Sequence, residues 1–231
     1  MAEAKQRNRR RNWAVATGAV AVAVAGLVFF WDWDWFIPLV ETRASASLGR
    51  EVSIGHLHIR LGGVTRVVAD DVRIANPAGF PEDSRFGSID HLTLDIDIAG
   101  LWHDRSAVHV PVVDIQHPVF DVATSAAGPP NYEIATANRG SGPAVKIGEV
   151  RIEDGHARVV IPRLKADFTL DFATREPQGD KEAELVADAK GTYAGQPITG
   201  HFVGGALLSL RDTARPYPVD LHLANGPTKV S

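Results

Sequence analysis

Residues 92–98 read LTLDIDI, so that Leu92, Leu94, Ile96 and Ile98 are separated by Thr93, Asp95 and Asp97. In an extended chain successive side chains point to opposite faces, and this alternation therefore predicts a strand with one apolar and one polar side. The same period runs through Leu57, Ile59 and Leu61. Further strands are predicted near residues 64–75, 105–116, 118–124, 144–153, 156–161, 165–174, 182–194, 196–210 and 217–223, separated by Gly, Pro and Asp-Gly turns. Asp154-Gly155 reads as the clearest hairpin turn. The apolar phase slips by one residue between Val52/Ile54 and Leu57/Ile59, and again from Val112 to Val113. A bulge is expected at each slip, Gly55 marking the first.

After residue 50 almost no helical periodicity is present, apart from a short turn around Ala99 to Asp104. A parallel α/β enzyme fold needs crossover helices, so the fold class is mainly β with a largely antiparallel sheet. Residues 124–142, containing GPPNY and RGSG, read as a long surface loop. Before the strands, Ile37, Val40, Ala44 and Leu48 recur at helical spacing and Gly49 follows at a C-cap position. They predict a short amphipathic helix.

The first thirty residues have a different composition. Residues 13–31, WAVATGAVAVAVAGLVFFW, contain no charge, and as a helix they would be about 28 Å long at ~1.5 Å per residue. That nearly matches a hydrocarbon core of about 30 Å. Lys5, Arg7, Arg9, Arg10 and Arg11 precede the stretch against only Glu3, which places the N-terminus in the cytoplasm and residues from about 32 onward outside it. Trp13, Trp31, Trp33, Trp35 and Phe36 are the expected membrane-interface anchors. The rival reading is a cleaved signal peptide, whose apolar core is shorter and whose cleavage site follows closely. Here Phe-Phe-Trp-Asp-Trp follows, and Ala44-Ser45-Ala46 lies well beyond. Four regions result: a basic segment 1–12, a transmembrane helix 13–31, an interfacial segment with the amphipathic helix 32–50, and a β domain 51–231 on the far side of the membrane, which the resemblance given below makes periplasmic.

The whole chain has 231 residues, is 45% hydrophobic and has no cysteine, which allows a packed core and excludes disulfides, thiolate metal sites and cysteine nucleophiles. Past residue 12 it carries 19 bases against 27 acids. That balance offers no broad basic surface for nucleic acid.

Several polar groups were weighed as chemistry. His56 and His58 share a strand face and have the spacing of a chelating pair; a polar strand face is the plainer reading. Asp70-Asp71 and the pair Asp95/Asp97 are candidate carboxylates for catalysis or cation binding. His103-Asp104, His109, Asp114 and His117 with Ser106 contain the residue types of a nucleophile and base. No Gly-x-Ser-x-Gly, His-Glu-x-x-His or phosphate-loop motif accompanies them, so no enzyme activity, metal or cofactor is expected. Gly62-Gly63 and Gly204-Gly205 read as turns or bulges.

Taken in order, FIPLVETRASASLGREVSIGHLHI, DVRIANPAGFP, FGSIDHLTLDIDIAGL, VDIQHPVFDV, NYEI and VRIEDGHARV resemble the AsmA family of Gram-negative bacteria over residues 36–161, and more loosely beyond. Tyr132 departs from the pattern, standing where many relatives have Trp. The resemblance implies an inner-membrane protein with an elongated, curved periplasmic β-sheet, similar to bridge-like lipid-transfer proteins. Its apolar groove would carry phospholipid or another acyl-chain ligand in support of transport between membranes and outer-membrane assembly. About ten strands at ~4.8 Å give a sheet only about 50 Å long, and the final strand, Pro227 to Ser231, ends without a turn. Both features predict an N-terminal portion of a longer chain, or else a short relative working beside the inner membrane. Leu92, Leu94, Ile96, Ile98, Phe168, Leu170 and Phe172 are the candidate groove residues. The alternative is an envelope scaffold with a closed β core that engages other envelope proteins and carries no lipid, because a sandwich shows the same alternation.

Overall fold

The computed structural model describes residues 32–81, 83–103, 107–124, 130–133, 144–175, 183–206, 217–225 and 228–230. The chain divides into two units, Met1–Trp35 and Phe36–Ser231. In the first, the Asp34 N–H donates to the Asp32 carboxylate at 3.0 Å, and a 3-10 turn starts at Trp33. The expected membrane segment 13–31, including Trp13 and Trp31, lies outside the described residues. Among the described residues no helix is long and apolar enough to cross a membrane.

The second unit is mainly β. Helix α1 (Ile37–Leu48) leads into β1 (Val52–Ser53), β2 (His56–Arg60), β3 (Val64–Ala75) and β4 (Arg85–Asp97). A short helix α2 (Ile98–His103) precedes the long strand β5 (Ala107–Ala123). Then follow β6 (Ala144–Glu153), β7 (Gly155–Ile161), β8 (Ala166–Arg175), β9 (Glu184–Tyr193), β10 (Gln196–Gly204), β11 (Val219–Asn225) and β12 (Thr228–Val230). Among the described residues there are twelve strands, all in one curved, unclosed sheet. Its order is β1-β3-β4-β5-β7-β8-β9-β10-β11-β12, with β2 continuing the line of β1 along β3 and β6 preceding β7 along β5.

Alternation in the sequence becomes sidedness in the sheet. Leu57, Ala69, Leu92, Ile115 and Ile152 stand side by side on β2 to β6, and Ile59, Val67, Leu94, Val113 and Val150 form the next row. The far half continues the same face with Phe120, Ala157, Leu170, Ala189, Gly200 and Leu223 on β5, β7, β8, β9, β10 and β11. Helix α1 covers one part of it. Its predicted stripe Ile37, Val40, Ala44 and Leu48 packs on the buried cluster Val52, Leu57, Ala69, Val72 and Ile89. Gly49 ends the helix in the left-handed conformation (φ 66°) with its N–H on the Ser45 carbonyl, as the sequence predicts.

The apolar face survives several one-residue slips because they line up across the sheet. Register passes from Asp70↔His91 to Val72↔Ile89, leaving Asp71 opposite Asp90, and from His91↔Gln116 to Ile89↔Pro118, leaving Asp90 opposite His117. Asp71, His117 and Asp154 all have positive φ. Gly55 lies on the same line: its N–H donates to the Asp70 carbonyl at 3.0 Å, and a Cβ there would come within 2.8 Å of the Asp71 Cβ. The result is a transverse seam of bulges through five strand positions, each of which restores apolar residues to one face.

Three expectations need correction. The slip at Val112/Val113 is not a bulge, because β5 runs beside β6 in unbroken register through both residues; the two halves of β5 are simply apolar on opposite faces, and the bulge in this strand is at His117. Asp154-Gly155 is not a hairpin turn. It joins β6 to β7, which both run parallel to β5, so the left-handed residue there bends a continuing strand. The sheet is thus antiparallel except at β5, whose pairing with β6 and β7 is parallel. Finally, Ile98 is the first residue of α2 rather than part of the strand, because Asp97 accepts the Gly100 N–H at 2.8 Å and starts a helical turn.

Candidate functional site

The two sides of the sheet differ chemically along most of its length. On the charged side, Arg66 grips Asp95 through two hydrogen bonds of 2.7 and 2.8 Å, and Arg158 grips Asp167 through two of 3.2 and 2.9 Å. Hydrogen bonding to Arg66 and Arg158 holds the Asp95 and Asp167 carboxyls below their ordinary range. His156, Asp171, Asp188, His201 and His222 are direct lateral neighbours on five consecutive strands. His156 meets Asp171 at 2.6 Å, and His201 meets Asp188 at 2.7 Å. Ion pairs across strands suit a solvated face, where each contributes little to stability.

The apolar side has a covered and an uncovered part. Under α1, Leu57 is 1% exposed. On β8, Phe168, Leu170 and Phe172 are only half-buried, although each points to the same face as Leu57. On β11, Val219, Leu221 and Leu223 are exposed. Small residues opposite the rings deepen this part: Gly155 faces Phe172 and Gly191 faces Phe168. Phe120 bridges the covered and uncovered parts, its ring centroid 5.6 Å from Phe86 and 6.4 Å from Phe172. Among the described residues every strand belongs to the one sheet, so no second sheet closes over this surface.

No known protein family matches the chain, and no characterised protein does.

Of the predicted groove residues, Leu92, Leu94 and Ile96 share one face of β4, and Phe168, Leu170 and Phe172 share the same face of β8. They are not one cluster: the first three lie opposite Ala69, Val67 and Thr65, and Leu92 packs against the α1-covered core. Ile98, on α2, leaves the row. The other members of the uncovered face, Phe120, Val159, Phe202, Leu221 and Leu223, escape the sequence reading because the bulges and the parallel crossover hide which strand phase faces which side.

Among the described residues the polar candidates do not assemble into a reaction centre. His56 and His58 lie on the edge strand β2 opposite Asp70 and Val68. His109 and His117 are eight residues apart on β5, or about 26 Å along a strand. His117 stands in the seam, 3.8 Å from Asp90 and 3.7 Å from Asp154. The side chains of His103, Asp104 and Ser106 lie outside the described residues. Among the described residues no three His, Asp or Glu side chains converge to hold a metal ion. Gly62-Gly63 forms the β2–β3 hairpin tip, and Gly204 ends β10 as expected for a turn.

A second polar assembly, at the end of the sheet where α1 terminates, was invisible to motif reading. Arg50, 7% exposed, donates to the carbonyls of Asn131 at 2.8 Å and Glu133 at 3.0 Å, and its guanidinium lies 4.8 Å from the Phe86 ring centre. Burial lowers its pKa. Asn131, 1% exposed, donates to the Asn76 side chain and the Asp121 carbonyl and accepts the Ala123 N–H. Three separate quoted segments, SLGR, NPAGF and NYEI, therefore meet in one knot. Apart from the buried Arg50 Nε, which has no hydrogen-bond partner among the described residues, its groups are turned on one another, which fits a structural clamp between α1 and the segment at Asn131.

Proposed function

We propose that this is an AsmA-like protein, anchored in the inner membrane by residues 13–31, with its sheet in the periplasm. It supports phospholipid transport between membranes and outer-membrane assembly by holding acyl chains on its apolar face. The observation that carries the reading is the contrast between Leu57 and Leu170: both face the same side, but Leu57 is sealed beneath α1 at 1% exposed, whereas Leu170 is only half-buried and has no helix over it among the described residues. Acyl chains would cover the rest, since apolar surface removed from water is worth about 25 cal/mol per Å². Passing a lipid along such a groove breaks no bond, and no nucleophile or cofactor enters the proposal. Phe168, Leu170 and Phe172 would touch the chains, with Phe120 and Leu221 on either side. Leu92 and Leu94 would instead support the floor near α1. The charged face would keep the other side of the sheet in water.

A photo-crosslinking amino acid placed at Leu170 or at its neighbour Thr169 in the full chain tests this directly, because adjacent strand residues face opposite sides. In cells, phospholipid adducts are expected from position 170 and not from 169. Adducts from neither position, or equally from both, would sink lipid carriage on this face.

A further inference from the structure

One end of the sheet is marked by three exposed apolar side chains. Leu61, at the tip of the β2–β3 hairpin, is 71% exposed; Val64, which starts β3, is 52% exposed; Val145, near the start of β6, is 61% exposed. They come from strands that all begin or end on this side: β2 ends here, β3 begins here beside Asp97 of β4, and β5 and β6 begin together through the pair Val108↔Val145. A base adjoins two of them in sequence, Arg60 before Leu61 and Lys146 after Val145, and both bases are exposed. The acids nearby are engaged, Asp95 by Arg66 and Asp97 by the Gly100 N–H. Exposed apolar tips next to bases that have no acid partner among the described residues are the composition that binds an anionic lipid surface.

The chain's route selects that partner. Ser45 accepts the Val52 N–H and Glu41 accepts the Ile54 N–H, so that moving along β1 toward β2 moves backwards along α1. The N-terminus of α1 therefore points to the end that carries Leu61. The uncharged stretch 13–31 stops six residues before Ile37, a separation that spans at most about 20 Å. We infer that this end of the domain rests on the surface of the membrane holding the N-terminal segment, with Leu61, Val64 and Val145 dipping among the headgroups and Arg60 and Lys146 meeting anionic lipid. The inference rests on the anchor reading above. It would place the Arg50 knot at the distal end of β3.

Because the chain has no cysteine, single nitroxide labels can be introduced without background. The full chain is reconstituted into vesicles of phosphatidylethanolamine and phosphatidylglycerol with a label at Leu61→Cys, Val64→Cys, Leu164→Cys or Ala21→Cys. Leu164 is exposed in the turn after β7, at the opposite end of the sheet. Collision rates with oxygen and with a water-soluble nickel chelate give the depth of each label. The expected result is an oxygen-to-nickel ratio several-fold higher at 61 and 64 than at 164. Ratios at 61 and 64 equal to that at 164, with a lipid signature at 21, would overturn docking while leaving the anchor in place. A label at 61 or 64 shielded from both reagents would mean a protein contact and would also overturn it. A water signature at 21 would remove the anchor and the docking together.

Discussion

Gly155 stands directly across the ladder from Phe172, whose ring fills the space that a Cβ on the glycine would occupy. Gly87 has the same relation to Phe120, and Gly191 to Phe168. These three aromatic rings of the apolar face therefore lie down over a neighbouring strand instead of standing away from it. The glycines shape the surface by what they leave out.

The three positions differ in what a methyl group would meet. At Gly155 it meets the edge of a ring, with contacts of 2.5 to 2.8 Å, whereas at Gly191 it meets the Asp167 carbonyl and lies 2.6 Å from the Phe168 Cα. A ring can turn aside, but main chain in a ladder cannot. Gly191→Ala should therefore destabilise the protein by about 1–3 kcal/mol, and Gly155→Ala by clearly less. Urea unfolding of the two variants checks the order.

Among the described residues Arg50 has no carboxylate partner in its knot, and its cation is held by two carbonyls and a ring face. Replacing it takes the donor from the buried Asn131 carbonyl and the part-buried Glu133 carbonyl, so Arg50→Ala should cost about 2–3 kcal/mol. Arg50→Lys should rescue little, because one ammonium cannot reproduce the planar fork that serves both carbonyls. The midpoint of chemical unfolding reads both effects. A full rescue by lysine would mean that charge alone matters at this position.

How much of this was legible in the sequence depends on the range of the interaction. Residues 64–75 and 144–153 were predicted with the bounds that β3 and β6 have, because alternation is local and each strand shows it alone. The α1 stripe was legible for the same reason. Asp154-Gly155 misled because a left-handed residue serves a hairpin and a bulge equally well, and only the strand beyond it decides between them. The β9–β10 hairpin is instead turned by Ala194-Gly195, both with positive φ, a pair with no strong turn signature. The Arg50 knot joins positions 50, 76 and 131, and no pattern in a single sequence links them. For the apolar face the strands were legible but their cover was not: Leu57 and Leu170 look alike in sequence.

The Arg66–Asp95 pair gives acid a defined point of entry. The Asp95 carboxyl is depressed in the folded chain by its hydrogen bonds to Arg66, so its contribution is present above the ordinary carboxyl range near pH ~4. It is lost as pH falls through the lower folded value. Asp95→Asn should flatten that part of the stability curve, with little other change because Arg66 is half exposed. Thermal unfolding measured in steps from pH 6 to pH 2 compares the two proteins; identical slopes would mean that the pair contributes nothing.

Leu57 and Leu170 supply the sharpest test of an open face. Leu57 lies beneath α1 with almost no exposed surface, and truncating such a leucine leaves a cavity that costs about 2–5 kcal/mol. Leu170 faces the same side but has no helix over it among the described residues, so Leu170→Ala removes less protected surface and should cost well under half as much. Leu170→Asp should still fold, whereas Leu57→Asp should not, because a carboxylate at position 57 would be buried without a partner. Unfolding free energies of the alanine pair and near-ultraviolet circular dichroism of the aspartate pair make the comparison. Equal losses at the two positions would mean that the far half of the sheet is closed in the native chain, and an acyl chain would then have nowhere to lie.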